Sequence, residues 1–478
     1  MDVQREVEVK LVPPEGFVLP AFDQVRGVAA VESTTLLLRA TYWDSIDLRL
    51  ARAGLTLRHR TGEGRPCWTL KVPAEDGVGR WELTVVGPAR AVPVELLDQV
   101  KARLRGDLLG PRGTLRTSRL RLVLRDSDGV ELVEVVDDAV TVTGAHATTW
   151  RELEVEQRSD AKVARRVQRQ LEEAGAEVGS QVGKAYRALG PASQEAPDVP
   201  MVSKVRRGDP VADLVRHRLV AAEHAFAHHD PGVRTGRPDA LHQLRVAART
   251  LRSDLRTFAP FLDDDRVVQL REELQWIGLA LSPARDLEVL RSRLRLTAAV
   301  HRYPLPAAAV DEAFAAQEEQ ARAAALAALD ADRYVELLLL LHDVATAPRF
   351  AGVARQSCAK ALPPALVRVQ RRCTRAADAL DLAAADEVWH EARKEAKKAR
   401  YASEAAAVAL GKVPGTRAAR RMQELLGEHQ DAVVAAERCR VLAEERPDLA
   451  YTCGVLVERE HTRAETARAT FLLTWGSQ

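Results

Sequence analysis

Glu6-Val7-Glu8-Val9-Lys10 alternates a charged residue with a valine at every step. A strand turns successive side chains to opposite faces, so Glu6, Glu8 and Lys10 share one face and the valines the other. Alone, such a segment reads most simply as an edge strand with one solvated side. The pattern recurs. Leu57-Arg58-His59-Arg60, Trp68-Thr69-Leu70-Lys71, Arg80-Trp81-Glu82 and Arg119-Leu120-Arg121 keep the same period of two, and Glu152-Leu153-Glu154-Val155-Glu156 sets three carboxylates on one face. A sandwich would turn its apolar faces inward. Repeated strands with an ordered ionic face instead describe a small antiparallel barrel with a charged lumen. Carboxylates facing cations across a lumen suit a hard metal ion bound together with a polyanion, because such ions take oxygen ligands and keep positions open for phosphate oxygens.

The order of these motifs resembles the CYTH domain of the triphosphate tunnel metalloenzymes. Glu6-x-Glu8-x-Lys10 opens the match, the stretch from Tyr42-Trp43-Asp44 through Leu55-Thr56-Leu57-Arg58-His59-Arg60 continues it, and Trp68-Thr69-Leu70-Lys71 and Glu152-x-Glu154-x-Glu156 complete it. The resemblance covers residues 1–190. It implies an eight-stranded antiparallel tunnel with flanking helices, binding a linear triphosphate with Mg²⁺ or Mn²⁺. Carried over by residue, it places Glu6, Glu8, Glu154 and Glu156 at metal-binding positions, with Glu152 beside them. Lys10, Arg58, Arg60, Lys71, Arg119 and Arg121 fall where phosphate oxygens are held. Asp138, four residues after Glu134, shares its strand face and is a further acidic candidate. Gly183-Lys184-Ala185-Tyr186 keeps the lysine of the family's closing turn and displaces its tyrosine, so Lys184 is expected at the substrate and Tyr186 is not assigned. Glu6, Glu8 and Lys10 form the expected catalytic set; the pattern leaves water activation open between a carboxylate and Lys10.

A chain of 478 residues with 46% apolar residues has material for two or three domains. Net charge is only +2 although 29% of residues are charged, so polyanion binding must come from local patterning. Five cysteines without a C-x-x-C pair point to reduced thiols and away from a zinc site. No basic-then-apolar leader opens the chain and the longest run of large apolar residues, residues 337–341, cannot span a bilayer. A cytoplasmic protein without membrane segments is expected, with association to polyphosphate granules an extension of that expectation.

Residues 191–204, rich in proline, serine and alanine, read as a linker. Beyond them the apolar period changes to about 3.6. Breaks at Asp230-Pro231-Gly232, Pro260, Pro304-Leu305-Pro306, Pro363-Pro364, Pro414-Gly415 and Pro447 cut the remainder into eight to ten expected helices. It also repeats. His242, Arg245, Arg249 and Arg252 return 148 residues later as His390, Arg393, Lys397 and Arg400, and Leu281 to Asp286 returns 145 residues on as Leu426 to Asp431. The spacing i, i+3, i+7, i+10 lines each set along one helix stripe. A single helix-borne histidine is usually a packing residue; a repeated His with the same neighbours is not so easily dismissed.

Residues 205–475 resemble the CHAD domain, which implies two pseudo-symmetric four-helix bundles, about 205–350 and 351–475, whose basic faces bind polyphosphate. The fold class expected is therefore α+β and multidomain, a β tunnel followed by an all-α domain. The expected function is metal-dependent hydrolysis of inorganic triphosphate or short polyphosphate in the tunnel, with polyphosphate binding by the helical domain. A thiamine or nucleoside triphosphatase, an ATP cyclase and a non-catalytic polyphosphate-granule protein are the alternatives. Nucleic acid is disfavoured because aromatic residues make up 4% of the chain and do not interleave with the basic stripes.

Overall fold

The computed structural model describes residues 1–74, 77–179, 183–299 and 307–475, which leaves the Pro304-Leu305-Pro306 break outside the described residues. The chain divides into two compact units, Met1–Pro200 and Met201–Gln478.

In the first unit the period-two segments become strands: β1 (Asp2–Glu6), β2 (Glu8–Val12), β3 (Ala30–Asp44), β4 (Thr56–Thr61), β5 (Cys67–Pro73), β6 (Arg80–Val86), β7 (Gly110–Arg125), β8 (Glu131–Thr143), β9 (Thr148–Gln157) and β10 (Glu177–Val178). They form one antiparallel sheet in the order β1-β6-β5-β4-β3-β7-β8-β9-β2-β10. Ten strands therefore replace the eight expected. The difference has two sources. Val7 alone separates β1 from β2, and β10 adds only a two-residue pairing beside Leu11 and Val12. The first pass of the chain thus begins bonded to β6 and ends bonded to β9, which joins the two sides of the sheet and closes the tunnel. Gly79 permits the handover, since a Cβ there would stand 2.2 Å from the Glu6 carbonyl oxygen.

The tunnel is apolar outside. Short helices α1 (Arg49–Arg52), α2 (Val94–Leu97) and α3 (Lys101–Leu104) cover Leu57, Trp68, Leu70 and Leu83. Helix α4 (Ala161–Glu173), capped by the Asp160 carboxylate on the amides of Lys162 and Val163, packs Val163, Val167 and Leu171 on Leu11, Leu153 and Val155. Helix α5 (Lys184–Leu189) sets Ala185, Ala188 and Leu189 against Leu115, Val140 and Val142. Each such fully buried Leu or Val contributes roughly 1.5–3 kcal/mol, enough to hold an ionic interior whose groups gain little from one another. Residues 191–200 belong to this unit, with Arg52 Nε donating to the Ala196 carbonyl at 2.9 Å.

The second unit is helical: α6 (Val211–Arg234), α7 (Ala240–Thr257), α8 (Arg266–Ala299), α9 (Ala307–Asp330), α10 (Asp332–Thr346), α11 (Cys358–Asp378), α12 (Asp386–Leu410), α13 (Thr416–Glu445) and α14 (Ala450–Trp475). The repeat is visible in the packing. Leu244, Ala248 and Leu251 of α7 and Ala392, Ala396 and Ala399 of α12, 148 residues apart, are all buried. Arg245 pairs with Asp286 at 2.9 Å, and Arg393 with Asp431 at 3.3 Å, so equivalent arginines tie equivalent helices. Four helices of each half correspond, and α10 is additional. Two expected breaks are not breaks: Pro231 lies in the last turn of α6 and Pro363-Pro364 inside α11. All five cysteines are free. No described helix is long and apolar enough to cross a membrane.

Candidate functional site

A cavity of about 350 Å³ runs inside the first unit, lined from β1 to β9 and α5. Among the described residues, eight carboxylates and nine cationic side chains line it. Register explains the acidic arrangement: Glu8 of β2 stands directly opposite Glu156 of β9, which stands directly opposite Glu134 of β8. Like charges directly opposite on neighbouring strands repel. Burial, reinforced by Glu6, Glu134 and Glu82 against the opposing Arg158, pushes the Glu156 carboxyl up to about 7. The strain falls on Glu156, since burial of its neighbour Glu134 is outweighed by Arg121 and Arg158, which lower that carboxyl; a divalent cation, which prefers oxygen, would let Glu156 ionise as well.

Cations interleave with the row. Lys10 Nζ lies 3.1 Å from Glu8 and 3.0 Å from Glu154. Lys71 Nζ lies 2.6 and 2.5 Å from the Glu6 oxygens and 2.7 Å from Glu82. Arg58 is 3.8 Å from Glu82, Arg60 is 3.0 Å from Glu63, and Arg121 is 3.0 Å from Glu134. Burial disfavours the charge on Lys10, but Glu154, Glu8 and Glu152 outweigh it and raise its pKa above the ordinary range. With these carboxylates beside it the Lys10 ammonium keeps its proton and is suited to neutralising phosphate. Glu154 shows the opposite balance: burial is outweighed by Lys184, Lys10 and Arg119, which hold it well below the usual carboxylate range.

Two expected metal ligands lie behind the lining. Asp138 is 0% exposed and Glu152 is buried, and neither borders the cavity. Arg119 grips Asp138 through two bonds, at 2.8 and 2.7 Å, and Trp150 Nε1 donates to Glu152 at 2.6 Å. Asp138, Glu152 and Glu154 lie close enough together to hold a cation, and the Lys184 ammonium is seated among them, 2.6, 2.7 and 2.9 Å away. Lys184 arrives on α5, which docks where Gly113 leaves room; a Cβ there would come 2.5 Å from the Ala188 carbonyl oxygen. Glu6, Glu8, Lys10, Arg58, Arg60, Lys71, Arg119, Arg121, Glu154, Glu156 and Lys184 all border the cavity. So does Tyr186, which the motif left unassigned. Sequence reasoning missed Glu82, Glu134, Glu63 and Arg158 as lining residues. Arg158 was legible, being one more step of the Glu154, Glu156 alternation; Glu63 sits in a hairpin turn and carried no signal.

In the second unit α7 packs on α12 and a cavity of about 530 Å³ opens beside them. Arg249, Arg252 and Lys397 of the two stripes line it, joined by Arg256, Arg271, Lys394 and Lys398. Burial and then Arg393, Arg249 and Arg400 push the Lys397 ammonium down to about 8, the mark of a cation crowded by cations. His242, Arg245, His390, Arg393 and Arg400 do not border this cavity. His390 Nδ1 is bonded to Gln430 Oε1 at 2.6 Å, and burial together with Arg285 lowers the His242 pKa.

Comparison with known proteins matches this division. A CYTH domain model matches residues 4–186 and a CHAD domain model residues 218–440. Two Mycobacterium tuberculosis proteins, Uncharacterized protein MT2285 (strain CDC 1551 / Oshkosh) and Uncharacterized protein Rv2226 (strain ATCC 25618 / H37Rv), are each 32% identical over 496 residues, covering 97% of this chain and 94% of their own. Among solved structures, PptA from Streptomyces chartreusis is 25% identical with a TM-score of 0.47, covering 56% of this chain and 100% of that one. The CHAD domain from the plant Ricinus communis is 21% identical with a TM-score of 0.48, covering 58% and 96%. The chain belongs to the family of proteins that join an N-terminal CYTH domain, a triphosphate tunnel, to a C-terminal CHAD domain.

Proposed function

We propose that the tunnel hydrolyses inorganic triphosphate or short polyphosphate with the help of divalent cations, and that the helical unit binds polyphosphate. The observation that carries the reading is the opposed row of Glu8, Glu156 and Glu134 facing Arg58, Arg60, Lys71, Arg119 and Arg121 across one lumen. A pure anion site gains nothing from that row. With nearly balanced lining charges, a fully ionised triphosphate needs cations brought with it, and two divalent ions bring the assembly close to neutrality. Glu6, Glu8, Glu134, Glu154 and Glu156 would hold Mg²⁺ or Mn²⁺, which neutralises phosphoryl oxygens and polarises the bond to be broken.

The chain's own residues do the rest. Arginine forks and lysine ammoniums hold the equatorial oxygens in line, and the developing charge meets cations already in place. Asp138 and Glu152 aim Lys184 and Arg119 from behind and so act as positioning residues. Among the described residues aromatic lining is confined to Tyr42 and Tyr186, and Tyr42 is 3% exposed, which gives a nucleobase or thiamine ring little surface. That favours an inorganic substrate over nucleoside or thiamine triphosphates and over ATP cyclisation. Phosphate release from inorganic triphosphate, ATP, thiamine triphosphate and long polyphosphate, with and without divalent metal, tests the reading. Preference for ATP or thiamine triphosphate would move the substrate assignment, and no release from any of them would leave the tunnel a binding site.

A further inference from the structure

The 148-residue repeat that carries Arg252 onto Arg400 also carries Ser253 onto Tyr401, two residues of different size that share one chemical group, a hydroxyl. Both side on the core, 7% and 5% exposed, and both border the cavity beside α7 and α12. Neither the Ser253 Oγ nor the Tyr401 hydroxyl has a hydrogen-bond partner among the described residues. Buried hydroxyls are normally paired, and an orphan pair at equivalent positions of a repeat is not explained by packing.

The surroundings indicate what would pair them. Arg249 of the first repeat lies over the Tyr401 ring at 5.4 Å and Arg400 of the second at 4.6 Å, so the aromatic holds one cation from each half. Among the described residues Glu272 is the one carboxylate bordering the cavity. Burial first, and then Arg393 and Arg249, depress the Lys397 ammonium that lines the same cavity. Such a floor calls for a ligand that is anionic and accepts hydrogen bonds without donating any, at two places related by the repeat. A condensed phosphate chain meets each condition: its oxygens are acceptors, its charge is regular, and it reads alike in both directions, as a pseudo-symmetric site requires.

We propose that Ser253 and Tyr401 are hydrogen-bond donors to a polyphosphate chain, a discrete subsite on the floor of the basic groove, with Arg249, which borders the same cavity, closing on the phosphates. This rests on the reading of the helical unit as polyphosphate-binding and adds to it a contact that does not depend on charge. Diffuse attraction by a basic surface weakens as salt rises with a slope set by the number of cations engaged; a neutral hydroxyl contributes a constant factor.

The test uses the full chain and long-chain inorganic polyphosphate, with affinity measured across a salt series for the parent, Tyr401→Phe, Ser253→Ala and Lys397→Gln. Tyr401→Phe keeps the ring beneath the two guanidiniums and removes only the hydroxyl. It is expected to weaken binding by roughly tenfold at every salt concentration with the salt slope unchanged, and Ser253→Ala to act in the same way. Lys397→Gln is expected to flatten the slope by about one. Without polyphosphate, Tyr401→Phe should melt at or above the parent temperature, because an unpaired buried hydroxyl has been removed, while the rise in Tm on adding polyphosphate shrinks. Affinity equal to the parent in both hydroxyl variants overturns the subsite. So does a Tyr401→Phe chain that melts lower without ligand and shows an unchanged ligand-induced rise, since the hydroxyl would then be structural. A parent that binds no polyphosphate overturns the groove reading itself, and the subsite with it.

Discussion

Glu8, Glu156 and Glu134 occupy directly opposed positions on three neighbouring strands, and that register makes the tunnel's acidity a property of the metal-free protein that can be measured. The raised Glu156 carboxyl, at about 7 against an unfolded value of 4.5, binds its proton more tightly folded than unfolded. Its contribution, at most about 3 kcal/mol, is fully present below pH 4.5 and is lost as pH rises through 7. Thermal melts of metal-free protein across that range should show a decline that Glu156→Gln removes; identical profiles would mean that Glu156 is not strained. Among the cations, Arg58→Ala and Arg60→Ala should each weaken triphosphate binding by roughly 1.5–3 kcal/mol by calorimetry, as expected for bonds to a charged group. At this scale the sequence was readable wherever period two decides the face, as for Glu6, Glu8, Lys10 and Arg58. Asp138 and Glu152 were legible as acidic candidates, but the Lys184 ammonium beside them was not, because it comes from a helix some thirty to fifty residues further on and no local period reports what docks behind a strand.

The elements follow local rules until a strand changes partners. Glu6 to Lys10 alternates without interruption, yet the pairing passes from β6 to β9 at Val7, an event set by closure of the sheet and invisible in its own alternation. Helix α5 likewise depends on a close approach. Gly113→Ala would press a methyl against the Ala188 carbonyl, so it should destabilise the first unit by about 1–3 kcal/mol and weaken triphosphate binding by unseating Lys184. Unchanged stability and binding would show that the approach is not needed. In the helical unit the repeat located α7 and α12 correctly, while Pro231 and Pro363-Pro364 misled because proline is tolerated where its neighbours supply the missing bonds. The crowded Lys397 makes a further expectation. Its ammonium, near 8 in the free groove, regains its ordinary affinity for a proton once phosphates sit beside it. Polyphosphate binding between about pH 8 and 10 should then take up a proton, and binding well below 8 should not, a difference calorimetry in two buffers detects.

Two units on one chain divide the chemistry into a tunnel that pairs carboxylates with cations and a groove that is nearly all cation. Composition hid this, because the net charge of +2 averages two very different interiors. Changes in one unit should leave the other's function in place: Glu8→Gln should abolish hydrolysis without altering polyphosphate binding, and joint replacement of Arg249, Arg252 and Lys397 by Gln should do the reverse for inorganic triphosphate. The most direct test is phosphate release from inorganic triphosphate by the parent and by Glu8→Gln, each with Mg²⁺ or Mn²⁺ and with excess chelator. The account expects turnover by the parent only with metal, and a loss of about a hundredfold or more in Glu8→Gln with folding intact. Full turnover in chelator, or by Glu8→Gln, would contradict it.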